Sequence, residues 1–259
     1  MNPEPPPMNL LITGAAKRMG AYLAQRFSDK RYGVLIHYHR SHDAAQELAA
    51  SITENGGRCW LLQADLQDKD QCKNLIASAI EKCGTLHALV NNAAVFEYDR
   101  TTEFSRKLFD AHMHANVAAP IELINAYYPH CVSNHLSGVA INILDYKLQN
   151  PNPDFFSYTL SKSSLATATQ LMAMEMAPYL RVCGVAPGLC LPSPYQSQER
   201  FEQIHDQTPL KRGATPDDVY EAVNYLIHAP ACTGEVINVD GGEKYLPRRR
   251  DVSFLEDDS

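Results

Sequence analysis

The run Leu10-Leu11-Ile12-Thr13-Gly14-Ala15-Ala16-Lys17-Arg18-Met19-Gly20 decides the fold. Its apolar start ends at Thr13-Gly14, which reads as a buried strand and a tight turn. From Arg18 to Phe27 the period changes: Met19, Leu23 and Phe27 recur every four residues, the spacing of one helix face. A strand, a small-residue turn and a helix, in that order, suit a phosphate. Small side chains let backbone N–H groups approach, and a helix N-terminus favours negative charge. Lys17 and Arg18 add positive charge at the same turn. A purely structural turn is the competing reading, as is a solvated helix face for Arg18.

Outward from this turn the alternation continues. Strands are expected at Val34-Leu35-Ile36, Cys59 to Gln63, Ala88-Leu89-Val90, Val139 to Ile143, Arg181 to Val185 and Val236 to Val239. Helical spacing fills Asp43 to Ile52, Asp68 to Cys83, Phe155 to Pro178 and Pro216 to Ala229, the last opened by Thr215 as N-cap. Phe104 to Cys131 can hold one long helix or two. Strands of Val, Ile and Leu with little alternation are buried on both faces. The expected fold is therefore α/β, a single doubly wound parallel sheet of about seven strands with helices on both faces. A proline-rich lead covers residues 1–7, the domain 8–246, and a charged tail 247–259, read as a solvated end.

Composition narrows the function. With 45% hydrophobic residues among 259, a substantial core can form. A formal net charge of −7 argues against a nucleic-acid partner. The seven cysteines form no Cys-x-x-Cys pair and fall in apolar stretches, so they read as small hydrophobes in a reducing, cytoplasmic setting. His112 and His114 sit two apart on a helix and face different ways, so no metal site is expected. The N-terminus lacks the pattern of a signal peptide, and no apolar run is long enough to span a bilayer.

Two further stretches carry chemistry. The second strand ends His37-Tyr38-His39-Arg40-Ser41. In a dinucleotide fold this end meets the adenosine ribose, where an acid would bind the 2′-hydroxyl of NAD. Arg40 and Ser41 suit a 2′-phosphate instead, which favours NADPH, unless Arg40 is simply a solvated side chain. Tyr158 and Lys162 share one helix face, and a nearby ammonium is expected to lower the phenol pKa and make it a usable proton donor.

Taken together, Thr13-Gly14…Gly20, Asp65-Leu66, Asn91-Asn92-Ala93-Ala94, Asn116, Tyr158…Lys162, Pro187-Gly188 and Asp240-Gly241-Gly242 resemble the short-chain dehydrogenase/reductase family over residues 8 to 246. The resemblance implies a Rossmann-type fold and a homotetramer. It implies catalytic roles for Asn116, Tyr158 and Lys162. It also implies a cofactor cleft of Gly14, Lys17, Arg18, Met19, Gly20, His39, Arg40, Ser41, Asp65, Leu66, Asn91, Ala93, Pro187 and Gly188, with Tyr158 and Lys162. Asp65 would meet the adenine, and Asn116 would support the lysine through water. Two positions depart from the family pattern. Its middle turn glycine is Arg18 here, and its catalytic serine, 13 residues before the tyrosine, is Asp145.

Both departures look like the pteridine reductase and dihydromonapterin reductase branch. That likeness implies a pterin substrate held by Arg18, Phe96, Asp145 and Tyr158. The branch commonly has Ser where Ala94 stands. A carboxyl with a raised pKa can protonate a ring nitrogen as hydride reaches carbon. The plainer readings are that Asp145 caps a turn and that Phe96 is a packing aromatic. Leu189 to Arg200, with Pro192, Pro194 and Tyr195, is expected to form a substrate lid, with a short helix over Glu199 to His205. Carbonyl reduction and a non-catalytic NADPH sensor are the rival functions.

Overall fold

Four strands are apolar enough to be buried at every position: β1 (Asn9–Ile12), β2 (Gly33–Tyr38), β4 (Ala88–Asn91) and β5 (Gly138–Ile143). With β3 (Arg58–Gln63), β6 (Leu180–Pro187) and β7 (Val236–Val239) they form one sheet in the computed structural model, which describes residues 8–193 and 196–254. The strand order is β3-β2-β1-β4-β5-β6-β7, and every neighbouring pair is parallel. The expected doubly wound sheet is therefore observed. The proline-rich lead, Pro194, Tyr195 and residues 255–259 lie outside the described residues.

Side-chain alternation splits the core in two. Leu10, Ile12, Val34 and Ile36 face α1 (Arg18–Asp29) and α8 (Pro216–His228), while Leu11, Leu35 and Leu89 face α3 (Lys69–Cys83) and α5 (Ala119–Ser133). A helix α2 (His42–Glu54) completes the first layer. The chain reverses its winding between β1 and β4. That switch opens a crevice at the strands' carboxyl ends, the place where open α/β sheets bind ligands.

The stretch from Phe104 to Cys131 resolves into two helices. One is α4 (Arg106–Met113) and the other is α5, joined by a π-helical turn at His114–Ala118. Such turns gather at functional sites, and this one carries the buried Asn116. Thr215 caps α8 through a capping box with Asp218, as its sequence position requires. A long helix, α6 (Phe156–Met176), carries Tyr158 and Lys162. A short helix, α7 (Gln198–Gln207), lies where the sequence predicts one over Glu199 to His205.

The charged tail is not a solvated end over the residues described. Asp251 and Val252 are buried, and Arg250 Nε donates to Asp154 Oδ2 at 2.8 Å. Charge alone misled the sequence reading, because each of these charges finds a partner inside the fold. No helix among the described residues is long and apolar enough to cross a membrane. No His, Cys, Asp and Glu group there could hold a metal ion, and the seven cysteines are free thiols.

Candidate active site

The turn after β1 is held from three sides. Thr13 Oγ1 accepts from the backbone N–H groups of Asn92 and Ala93, each at 3.0 Å. Asn92 Nδ2 donates to Thr13 O at 2.9 Å. Gly14 has φ +62°, and a Cβ on Gly20 would lie 2.4 Å from Gly14 O, so neither position accommodates a side chain without a shift. Arg18 also has φ +52°. This is the left-handed region that favours glycine, and here an arginine bears the strain. Its guanidinium donates to Pro192 O at 2.9 Å, in the loop that follows β6.

His37, at the end of the second strand, has a role that its sequence position does not signal. Its Nδ1 accepts from Gly14 N at 3.0 Å, and its Nε2 bonds Ala64 O at 3.1 Å. These bonds require a neutral ring with the proton on Nε2. Burial pushes its pKa down from 6.5 to about 4. The unfolded chain therefore binds this proton first as pH falls. The stability that neutral His37 contributes is fully present above pH 6.5 and is lost toward pH 4, about 3 kcal/mol in all. We expect urea unfolding at pH 7 and pH 4.5 to show this loss, and His37→Asn to flatten it.

Lys17, Tyr38, His39, Arg40, Ser41 and Gln67 line one cleft beyond the turn together with Gly14 and Ala16, and no carboxylate lines it. Asp65 stands nearby, with Oδ2 3.6 Å from His39 Nε2. Its Oδ1 accepts from Gln67 N at 3.0 Å. The carbonyl of Leu66 accepts from Cys72 Sγ at 3.5 Å, anchoring that loop to α3.

At the other end, α6 and the end of β5 bring the expected catalytic side chains together. Tyr158 OH donates to Asp145 Oδ2 at 2.9 Å. Asp145 Oδ1 accepts from Lys147 N at 2.9 Å, so the residue both caps a turn and meets the tyrosine. Burial pushes the Asp145 carboxyl up, against the pull of the Lys147 N–H, Lys147 and Lys162 charges and the Tyr158 hydroxyl. Lys162 Nζ donates to Ile143 O at 2.6 Å and sits 5.7 Å from the Tyr158 ring centre. Burial brings its pKa down to about 8. Asn116 accepts from Val95 N at 2.8 Å and donates to Ser161 Oγ at 2.9 Å, one residue before the lysine. Asn91 Nδ2 donates to Asn142 Oδ1 at 2.8 Å beneath the same floor.

Residues 14–244 match the family model described as enoyl-(acyl carrier protein) reductase. The chain belongs to the short-chain dehydrogenase/reductase family. Among solved structures, this short-chain reductase is similar to FolM alternative dihydrofolate reductase 1 from Brucella suis in complex with NADP. The TM-score is 0.88 at 33% identity, covering 93% of this chain and 96% of that one. The Brucella canis protein, also with NADP, gives 0.85 at 32%, covering 92% and 94%. Curated relatives include a putative ketoacyl reductase of granaticin polyketide synthase from Streptomyces violaceoruber. It is 30% identical, over 91% of this chain and 96% of the relative. Glucose 1-dehydrogenase 2 of Bacillus subtilis is 28% identical, over 92% and 95%.

The sequence reading had Lys162 lowering the Tyr158 pKa. Burial and the Asp145 carboxylate instead hold the phenol well above its ordinary range. The carboxyl in the serine's place, when ionised, opposes the phenolate that the lysine would favour.

The reductase's second cleft, of about 240 Å³, collects Arg18, Met19, Phe96, Asp145, Tyr158, Pro187 and Gly188. Phe96 is both a packing and a cleft residue: its ring stacks on Phe155 at 4.3 Å and meets Tyr158 edge-on at 4.8 Å. Ala93 packs beneath Gly14. Glu243 was also missed. It is buried behind Gly188, accepts from Leu189 N at 3.2 Å, and has its pKa pushed up to about 7 by burial. Arg248 bonds Gln207 of its own chain at 3.2 Å, at the end of α7. No local spacing signalled these contacts, because their partners lie tens of residues away.

Proposed function

We propose that this enzyme reduces a dihydropterin of the dihydromonapterin type, a class whose larger members include dihydrofolate, using NADPH. The observation that carries this reading is the Tyr158–Asp145 hydrogen bond of 2.9 Å, with a carboxyl in the family's serine position. The NADP-bound Brucella dihydrofolate reductases, similar over nearly the whole chain, support it.

The residues fit the cofactor. Gly14 and Gly20 let the turn pack tightly on Ala93 and on its own backbone, where a Cβ would clash, and a small-residue turn opening a helix suits a pyrophosphate. Lys17, Arg40 and Ser41 form a donor set for a 2′-phosphate in a cleft lined by no carboxylate. Met19, His39, Asp65, Leu66, Asn91, Ala93, Pro187 and Gly188 would flank the remaining parts. When bound, NADPH supplies the hydride. Tyr158 and Asp145 share one proton-bearing contact, from which a ring nitrogen takes its proton. Lys162 holds positive charge and the ribose, Asn116 fixes the segment behind it, and Arg18 and Phe96 grip the flat ring. A homotetramer and a cytoplasmic setting complete the reading.

The test is NADPH oxidation near ~340 nm with dihydropterins and dihydrofolate beside a ketone panel. Turnover of a dihydropterin is expected. Silence on every pterin with turnover of a ketone would favour carbonyl reduction, which the ketoacyl reductase relative supports. For the cofactor, Arg40→Asp is expected to weaken NADPH about 10- to 100-fold by removing charge-assisted contacts, while NADH affinity holds or improves. Equal loss for both nucleotides would remove Arg40 from the 2′-phosphate role.

A further inference from the structure

The Arg250–Phe254 segment does more than pack. Asp251, Val252 and Ser253 line the same cleft as Asp145, Phe96 and Tyr158. We propose that this C-terminal segment is the specificity-determining wall of the acceptor cleft, supplied by the chain to its own site and anchored by a buried Lys147–Asp251 ion pair.

The anchoring is dense. Lys147 Nζ meets Asp251 Oδ2 at 2.8 Å and Asp154 O at 3.0 Å, and both charged side chains are at least nine-tenths buried. Asp154 Oδ2 accepts from Arg250 Nε and Asp251 N, each at 2.8 Å, and its Oδ1 accepts from Tyr98 OH at 3.1 Å. Removing one partner from such a pair leaves a charge with no water and no counter-ion, so the arrangement is held strongly in place. Phe254 adds an apolar clamp, its ring stacked with Phe155 at 5.8 Å and edge-on to Tyr98 at 4.8 Å.

The anchor also reaches the reacting groups. Lys147 is the residue whose backbone N–H holds Asp145 Oδ1. Phe155, which Phe254 stacks upon, is the ring beneath Phe96. Ser253 Oγ approaches Ser193 Oγ on the lid side at 3.4 Å. One short segment thus touches the supports of Asp145, of Phe96 and of the lid. Lys147 and Asp251 act as positioning residues. Val252 and Ser253 present the surface against which the acceptor's edge rests, a small apolar group beside a hydroxyl. Such a wall suits a flat, hydrogen-bonding ring and excludes bulk. The inference concerns the wall itself and holds for whichever acceptor the panel identifies.

The experiment uses the full-length enzyme with its best acceptor from the pterin and ketone panels. Ser253→Trp and Val252→Trp each push an indole toward the cleft. Each is expected to raise the acceptor KM about 10- to 100-fold, with NADPH affinity, measured by nucleotide fluorescence, unchanged. Thermal unfolding reports whether the fold survives. Ser253 is only half-buried, so its variant remains informative if Val252→Trp unfolds. Asp251→Asn is expected to move the acidic limb of the kcat/KM pH profile, through Lys147 and Asp145, and Asp251→Glu to restore part of it. Folded Ser253→Trp enzyme with an unchanged acceptor KM would overturn the wall. An unchanged pH profile in Asp251→Asn would overturn the anchor. A ketone as best acceptor would sink the pterin reading and leave this inference to be judged by those same KM values.

Discussion

Tyr158→Phe is expected to lower kcat about 10³-fold, with NADPH affinity retained. The hydroxyl is the donor to Asp145 at 2.9 Å, and the phenol stays protonated because burial and the neighbouring carboxylate both oppose its ionisation. Phenylalanine keeps the ring and its edge-on contact with Phe96 at 4.8 Å, so the cleft's shape survives. Only the proton-bearing group is lost. The measurement is steady-state NADPH oxidation beside direct nucleotide binding. A Tyr158→Phe enzyme with near-normal kcat would remove the tyrosine from proton transfer. It would leave Asp145 as the donor, since its carboxyl pKa is raised by burial.

Asp145→Ser separates the two acceptor classes. It is expected to lower kcat/KM for a dihydropterin about 10- to 100-fold, the cost of one charged hydrogen-bonding partner, while leaving carbonyl turnover equal or higher. The reasoning is electrostatic. Asp145 raises the Tyr158 pKa through its charge and its hydrogen bond, and a serine does neither. The phenol should then titrate lower, and the basic limb of the pH profile should move down with it. Lys162, whose charge Asp145 helps to retain, should also deprotonate below its value of about 8. Loss of pterin and carbonyl turnover in equal measure would mean that Asp145 supports the site rather than choosing the substrate.

The legible part of the site was its linear part. The glycine turn, Asn91-Asn92-Ala93, and the Tyr158…Lys162 pair each lie within one element or one turn, so local spacing fixes their geometry. The structure brings Tyr158 and Asp145 together across 13 residues because β5 ends where α6 begins to pack on it. The tail was misjudged for the opposite reason. Arg250 and Asp251 look solvated in a charged run, and their partners Asp154 and Lys147 stand about a hundred residues earlier.

Sequence by itself determined the order of elements and the parallel sheet, and it named the side chains proposed to react. Periodicity and strand-end motifs are local properties of the chain, and a buried parallel sheet writes them in apolar runs. The tertiary structure alone decided protonation and enclosure. Whether Tyr158 is held as a phenol, whether His37 stays neutral and whether the C-terminal segment reaches the cleft depend on burial and on charges from distant segments. Desolvation and Coulomb interaction act through space, and only the folded chain sets those distances.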